Sequence, residues 1–219
     1  MIDRRVLTYI SGDCVSDGIK LDVIQEEYVM VNDTKCTGSY EDREICVAGL
    51  SSMPTETLAH EYCHSIQDRK KHKVWTDSFI QGDIASENII DLWLSGHVEL
   101  NKKQRDHLIG CCIACELECE QMTLELLERL MPEWGAENRE RYIIDANTYL
   151  IQWGFTGLWR KWTDEKRPWQ DQVVREHTPK EWKDVAAYVH ELPKNEILAE
   201  RYYEIMVSVG GTSDSTGND

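Results

Sequence analysis

Residues 57–67, TLAHEYCHSIQ, restrict the folds open to this chain more than any other stretch. Leu58, Tyr62 and Ile66 recur every four positions, and His60 and His64 repeat the same interval, which predicts one helix carrying an apolar row and a histidine row. SSMPTE just before it supplies capping hydroxyls and places Pro54 in the first turn, so the helix is expected over about 54–71. A row holding two imidazoles and then Gln67 is too polar for simple core. A metal held by that row needs further ligands from elsewhere in the chain.

A second helical pattern supplies them. It runs from about His107 to Met131, where Pro132 stops it, and contains ELECEQMT at 116–123. Glu116 and Glu120 share a face with Ile109, Cys112, Ile113, Thr123 and Leu127, whereas Glu118 shares its side with Gln121 and Glu125. The apolar surroundings favour Glu116 over Glu118 as the carboxylate that meets the histidines. An ionised carboxylate on such a face is costly without compensation, and a divalent cation compensates it. HEYCH fits the HExxH pattern: His60 and His64 can reach one zinc ion, while Glu61, about 100° round the helix, is placed as general base toward a water on its open side. Glu120, one turn past Glu116, is placed to accept the free N–H of a ligating histidine.

TLAHEYCHSIQ followed, after His64 and 51 intervening residues, by Glu116 of ELECEQMT resembles the gluzincin metallopeptidases. The likeness is to the minigluzincin and CAAX-processing type, whose second motif reads E-x-x-A-D with a small residue three positions later. Here Cys119 stands for the alanine, Glu120 for the aspartate and Thr123 for the small residue. The chain is also similar to small metallopeptidase-like proteins encoded by bacteriophages. The resemblance spans roughly residues 45–130. It implies a zincin-like fold, one zinc ion held by His60, His64 and Glu116, Glu61 as base and proton shuttle, and hydrolysis of peptide bonds in a peptide or protein substrate. Gln67 and Lys70 stand where a metzincin needs glycine and histidine, which excludes that class. CAAX-processing enzymes span membranes; this chain has no apolar run approaching that length, so their substrates do not carry over. Glutamate at 120 lengthens the supporting arm relative to the family's aspartate.

Lys and Arg number 24 against 40 Asp and Glu, a formal net charge of −16 that repels nucleic acid and anionic membrane surfaces. The opening MIDRRVLTYISGD has no long apolar stretch after its charges, so a cytoplasmic protein is expected. Four of the eight cysteines crowd into CCIACELEC, 111–119, where neighbours on one helix cannot readily bridge to one another; a reducing compartment fits them. Cys112 and Cys115 form C-x-x-C, an iron–sulfur or second zinc signature. On one helix, however, the four thiols stretch along about 12 Å, and packing is favoured. Cys63 points away from the histidine row and reads as core.

KLDVIQEEYVMVND and REICVAGL, separated by the turn-like NDTKCTGSYED, predict two or three strands before residue 51. RERYIIDANTYLIQW predicts a long helix broken near Gly154 and Gly157; Thr178-Pro179-Lys180-Glu181 is a capping box expected to open a helix to about Leu192; ILAERYYEIMVSV predicts one more. The expected class is α+β, a small antiparallel sheet beside the HExxH helix followed by helices, as a single domain over 1–209 with a disordered tail at 210–219. Oxyanion or substrate contacts are sought at Tyr149, Asn147, Arg141, His97 and His177, and spacing selects none of them; Tyr149 reads more readily as a packed helix residue. Trp153, Phe155, Trp159, Trp162 and Trp169 read as packing between helices ahead of a peptide groove, and DRKKHK at 68–73 as a solvated helix end. A rival function keeps the metal without catalysis, as a scaffold that grips a partner. Glu61, which a structural site does not need, favours the enzyme.

Overall fold

The computed structural model describes residues 1–31, 34–79, 86–161 and 168–207. Its first element, α1 (Arg4–Asp17), buries a single row, Val6, Ile10 and Cys14, spaced four apart among charged neighbours. Asp3 caps it by accepting from the Arg5 amide at 2.8 Å, and Gly18 ends it with a φ of 65°. Asp13 of α1 accepts from the Tyr62 hydroxyl at 2.7 Å and the Arg69 guanidinium at 3.1 Å, which ties this helix to α2 (Pro54–Arg69). The Tyr62 hydrogen bond and then Arg69, against burial, hold the Asp13 carboxyl below the ordinary carboxylate value. Because the folded value is the depressed one, this stabilisation is complete above the unfolded value of about 4 and is lost as pH falls through the folded value. Asp13→Asn is expected to cost about 0.2–1 kcal/mol at neutral pH, the range for a part-exposed pair, and nothing in strong acid. Urea unfolding of both chains at the two pH values checks it.

Five short strands follow: β1 (Lys20–Ile24), β2 (Val29–Val31), β3 (Thr34–Cys36), β4 (Gly38–Glu41) and β5 (Glu44–Ala48). The antiparallel sheet expected here is two sheets, one of them mixed. β2 and β3 form an antiparallel pair, while β1, β5 and β4 lie side by side in that order, β1 parallel and β4 antiparallel to β5. Ile45, Val47 and Ala48 of β5 are fully buried, so the most apolar strand takes the centre and β1 is brought to it from across the intervening strands. Asp42 and Arg43, with φ of 47° and 66°, make the tight β4–β5 turn without the glycine that usually announces one.

The rest is helical, and the class is α+β. α2 starts at Pro54 as expected, although Met53 caps it without a side-chain hydrogen bond. Next come α3 (Lys73–Phe79), α4 (Ser86–Leu94) and α5 (Lys102–Leu130), the last opened by an Asn101–Gln104 capping box. α6 (Pro132–Trp159) runs unbroken through both glycines where a break was expected. A Cβ at Gly154 would stand 2.3 Å from the Tyr188 carbonyl oxygen, and one at Gly157 3.2 Å from Cγ1 of Ile109, so these glycines admit neighbours and do not end the helix. Thr178 opens no helix: α7 (Gln172–His177) ends there, and the Thr178 hydroxyl donates back to the Val174 carbonyl at 2.8 Å. A π turn at Ala187–Glu191 and α8 (Glu196–Val207) complete the described chain. The tail at 210–219 lies outside the described residues.

Two apolar clusters hold these elements. One joins α1, β5, α2 and the end of α5 through Val6, Ile10, Val47, Leu58 and Leu127; the other joins the start of α5 to α6 and α8 through Ile109, Ile113, Phe155 and Tyr202. The middle of α5, residues 115–120, lies where they meet. Trp153 and Phe155 are buried, and Trp159 stacks on Phe155, so these members of the aromatic series pack between helices; Trp162 and the side chain of Trp169 lie outside the described residues. Among the described residues no helix is long and apolar enough to cross a membrane.

Candidate metal centre

α2 and α5 cross the cluster boundary in opposite directions: His60 meets Glu120 and Glu116, His64 meets Glu116, and Gln67 meets Cys115 and Glu118. The polar row of α2 therefore faces the carboxylates of α5, each helix burying what the other can satisfy. Nε2 of His60 lies 3.0 Å from Nε2 of His64. Oε2 of Glu116 lies 3.5 Å from the first and 3.6 Å from the second. That oxygen is buried and has no hydrogen-bond partner among the described residues.

The outer nitrogens assign the protons. Nδ1 of His64 is 2.9 Å from Oε1 of Gln67, an acceptor, and Nδ1 of His60 faces Oε1 of Glu120 at 3.4 Å. With both protons on Nδ1, the two Nε2 lone pairs and a carboxylate oxygen point at one another, an arrangement that repels unless positive charge sits between them. The residues fit a zinc ion. Separations of 3.0, 3.5 and 3.6 Å match the edge of about 3.3–3.4 Å of a tetrahedron with zinc bond lengths. A second donor set, His60, His64 and Cys119, has its atoms within 4.8 Å. Sγ of Cys119, however, lies 3.6 Å from Nδ1 of His60, and its thiol donates to the His60 carbonyl at 3.3 Å, which places it behind the ring. Glu116 completes the convergent set.

Burial opposes charge on both imidazoles, but Glu120 beside His60 and Glu116 beside His64 favour it, and both rings are raised well above the ordinary value. Burial likewise pushes Glu116 upward, yet His64 and then His60 prevail and hold its carboxyl low. For Glu61 burial prevails, against the two histidines, and its carboxyl is raised. The centre thus draws positive charge into its middle while Glu61, at its side, takes a proton more readily than an exposed carboxylate.

Glu61 is buried against β4, an outer strand of the mixed sheet. A Cβ on Gly38 would come within 2.9 Å of its Cγ and 3.0 Å of its Oε1, so the missing side chain gives the carboxylate its room. Glu120 accepts from the buried Tyr142 hydroxyl, a contact that fixes the carboxylate behind His60. Glu118, set aside as a ligand, holds Gln67 and His72, each at 2.9 Å. The basic run at 68–73 is thus more than a solvated end: Arg69 pairs with Asp13 and His72 with Glu118.

The other expected contacts are placed elsewhere. Asn147, expected as a substrate contact, is fully buried; its amide donates to the Pro179 and Glu181 carbonyls at 2.8 and 3.0 Å and accepts from Tyr188, which engages it inside the fold. Tyr149 packs against the second apolar cluster. His97 bonds Ser95 at the end of α4, and His177 bonds the Val173 carbonyl of its own helix. Arg141 lies 3.4 Å from Glu56, which precedes His60 by one turn on the same row of α2. Cys111, Cys112, Cys115 and Cys119 are all buried and unbridged. Gln67, Tyr142 and Gly38 were visible in the sequence only as a polar break in a row, an aromatic in a helix and a glycine in a strand. Comparison of the chain with protein families, curated proteins and solved structures yields no match.

Proposed function

We propose that this chain is a zinc-dependent peptidase of the gluzincin, zincin-like type. The observation that carries the reading is the buried Oε2 of Glu116, without a hydrogen-bond partner among the described residues, facing the Nε2 atoms of His60 and His64. These three side chains would hold the ion. When bound, zinc supplies a water of lowered pKa and polarises a carbonyl. Glu61 takes the proton from the attacking water and hands it to the leaving amine, standing beside the ligand row but outside it. Glu120, held by Tyr142, keeps the His60 ring turned with Nδ1 outward. Among the described residues β4 has one neighbour in its sheet, β5, and an extended peptide can add along its other edge past Gly38, next to Glu61.

The enclosure of the centre supports a second reading, a metal site kept for stability. His60, His64 and Glu116 have side chains only 20%, 9% and 13% exposed. Zinc titration with competing chelator, followed by cleavage of a broad peptide library before and after chelation, tests the proposal. One equivalent of zinc and chelator-sensitive cleavage are expected. Glu116→Gln is expected to weaken zinc binding more than 100-fold, beyond the loss of about 10- to 100-fold typical of a supporting residue. Unchanged affinity in that variant overturns the ligand set.

A further inference from the structure

Gln67 is fully buried on α2, three residues past His64. Its Nε2 donates to the Cys115 carbonyl at 3.0 Å and to Oε2 of Glu118 at 2.9 Å. Two acceptors on that side fix which end of the amide is nitrogen, so the atom 2.9 Å from Nδ1 of His64 is Oε1, which also receives the Cys115 thiol at 3.6 Å. An amide oxygen has no proton to give, and the ring nitrogen is therefore the donor. Behind the amide, Nδ1 of His72 lies 2.9 Å from the same Glu118 oxygen.

We propose that Gln67 is the positioning residue of His64: its carbonyl oxygen holds the ring's proton on Nδ1 and leaves Nε2 facing Glu116, while Glu118 and His72 hold the amide from behind. The inference deepens the metal reading and rests on it for its purpose, although the Gln67–His64 bond is a property of the chain with or without an ion. The two histidines are thereby held by different chemistry. His60 has a carboxylate, Glu120, behind it; His64 has a neutral amide. The reason is local. The side chain at 67 must accept from His64 and donate to Glu118 at once, which an amide does and a carboxylate cannot. A carboxylate there would also set two like charges against each other beside a centre that already holds Glu61, Glu116 and Glu120.

The test uses the full chain with histidine rings labelled with nitrogen-15, observed by NMR with and without zinc, alongside zinc competition. The unaltered chain should show a slowly exchanging Nδ1–H of His64 in both states. Gln67→Met, which keeps the volume and loses the acceptor, should lose that signal and bind zinc about 10- to 100-fold more weakly. Gln67→Glu keeps an acceptor for the ring proton and so should keep the signal, yet it should bind zinc weakly through repulsion with Glu118, and adding Glu118→Gln should recover part of the affinity, which a mere packing role would not do. Should Gln67→Met fail to fold, the contrast between the single and the exchanged variant decides. A protected Nδ1–H that persists in Gln67→Met, or an exchanged pair no better than Gln67→Glu alone, overturns the proposal. If no form binds zinc yet the signal follows the pattern above, the metal reading falls and the positioning of His64 stands.

Discussion

Glu61→Gln should hold zinc as tightly as the unaltered chain and lose about 10²- to 10⁴-fold in kcat/KM for peptide cleavage, the usual contribution of a positioned general base. The two halves of this expectation have separate causes. The atoms that converge are the Nε2 atoms of His60 and His64 and Oε2 of Glu116, and Glu61 is not among them. Glutamine keeps the shape that fits against Gly38, so the β4–α2 contact survives. What disappears is the capacity to take a proton. Metal analysis of both proteins and kinetics on the best library peptide read the result. A variant that cleaves at the original rate places the base elsewhere, and an unaltered chain that binds zinc but cleaves nothing replaces the enzyme with the scaffold.

Phe155→Ala should destabilise the fold by about 3–5 kcal/mol, the range for removing a buried aromatic side chain and leaving its cavity. Phe155 is fully buried, stacks on Trp159 with ring centroids 4.5 Å apart, and meets Tyr202 at the same centroid distance. Tyr202 is itself anchored, its hydroxyl donating to the Thr148 carbonyl at 2.6 Å, so collapse into the void is restricted. At roughly 2–4 °C per kcal/mol for a chain of this size, the melting temperature should fall by roughly 6–20 °C. Zinc stoichiometry below the transition should be unchanged, because Phe155 belongs to the second apolar cluster, whereas Leu58, Tyr62 and Cys63 of the histidine-bearing helix belong to the first. A loss under about 1 kcal/mol would mean that the aromatic series contributes little to the core.

The centre was legible to the extent that its members repeat on helices. His60 and His64 share a row by spacing alone, and Glu116 and Glu120 share a face by the same rule, so each pair could be named before the helices were brought together. α1 and the sheet were less legible. Three buried residues in fourteen leave too narrow a row to distinguish α1 from a charged loop, and strand pairing depends on contacts between segments that periodicity does not join. The glycines of α6 show how context decides: the same residues that weaken an isolated helix let Tyr188 and Ile109 approach this one. Thr178 shows the converse, a capping pattern whose hydroxyl is drawn to Val174.

By itself the sequence determined that two imidazoles would stand one turn apart beside a glutamate, and that a separate helix would present carboxylates from an apolar face. Both follow from the helical repeat, a local property of the backbone. Only the tertiary structure decided that α2 meets α5 in the antiparallel sense, that Glu118 is taken up by Gln67 and His72, and that Gln67 and Tyr142 stand behind the rings. Those choices arise from how two apolar clusters close around the middle of α5. The energy of that closure is summed over residues far apart in the chain, and no short motif carries it.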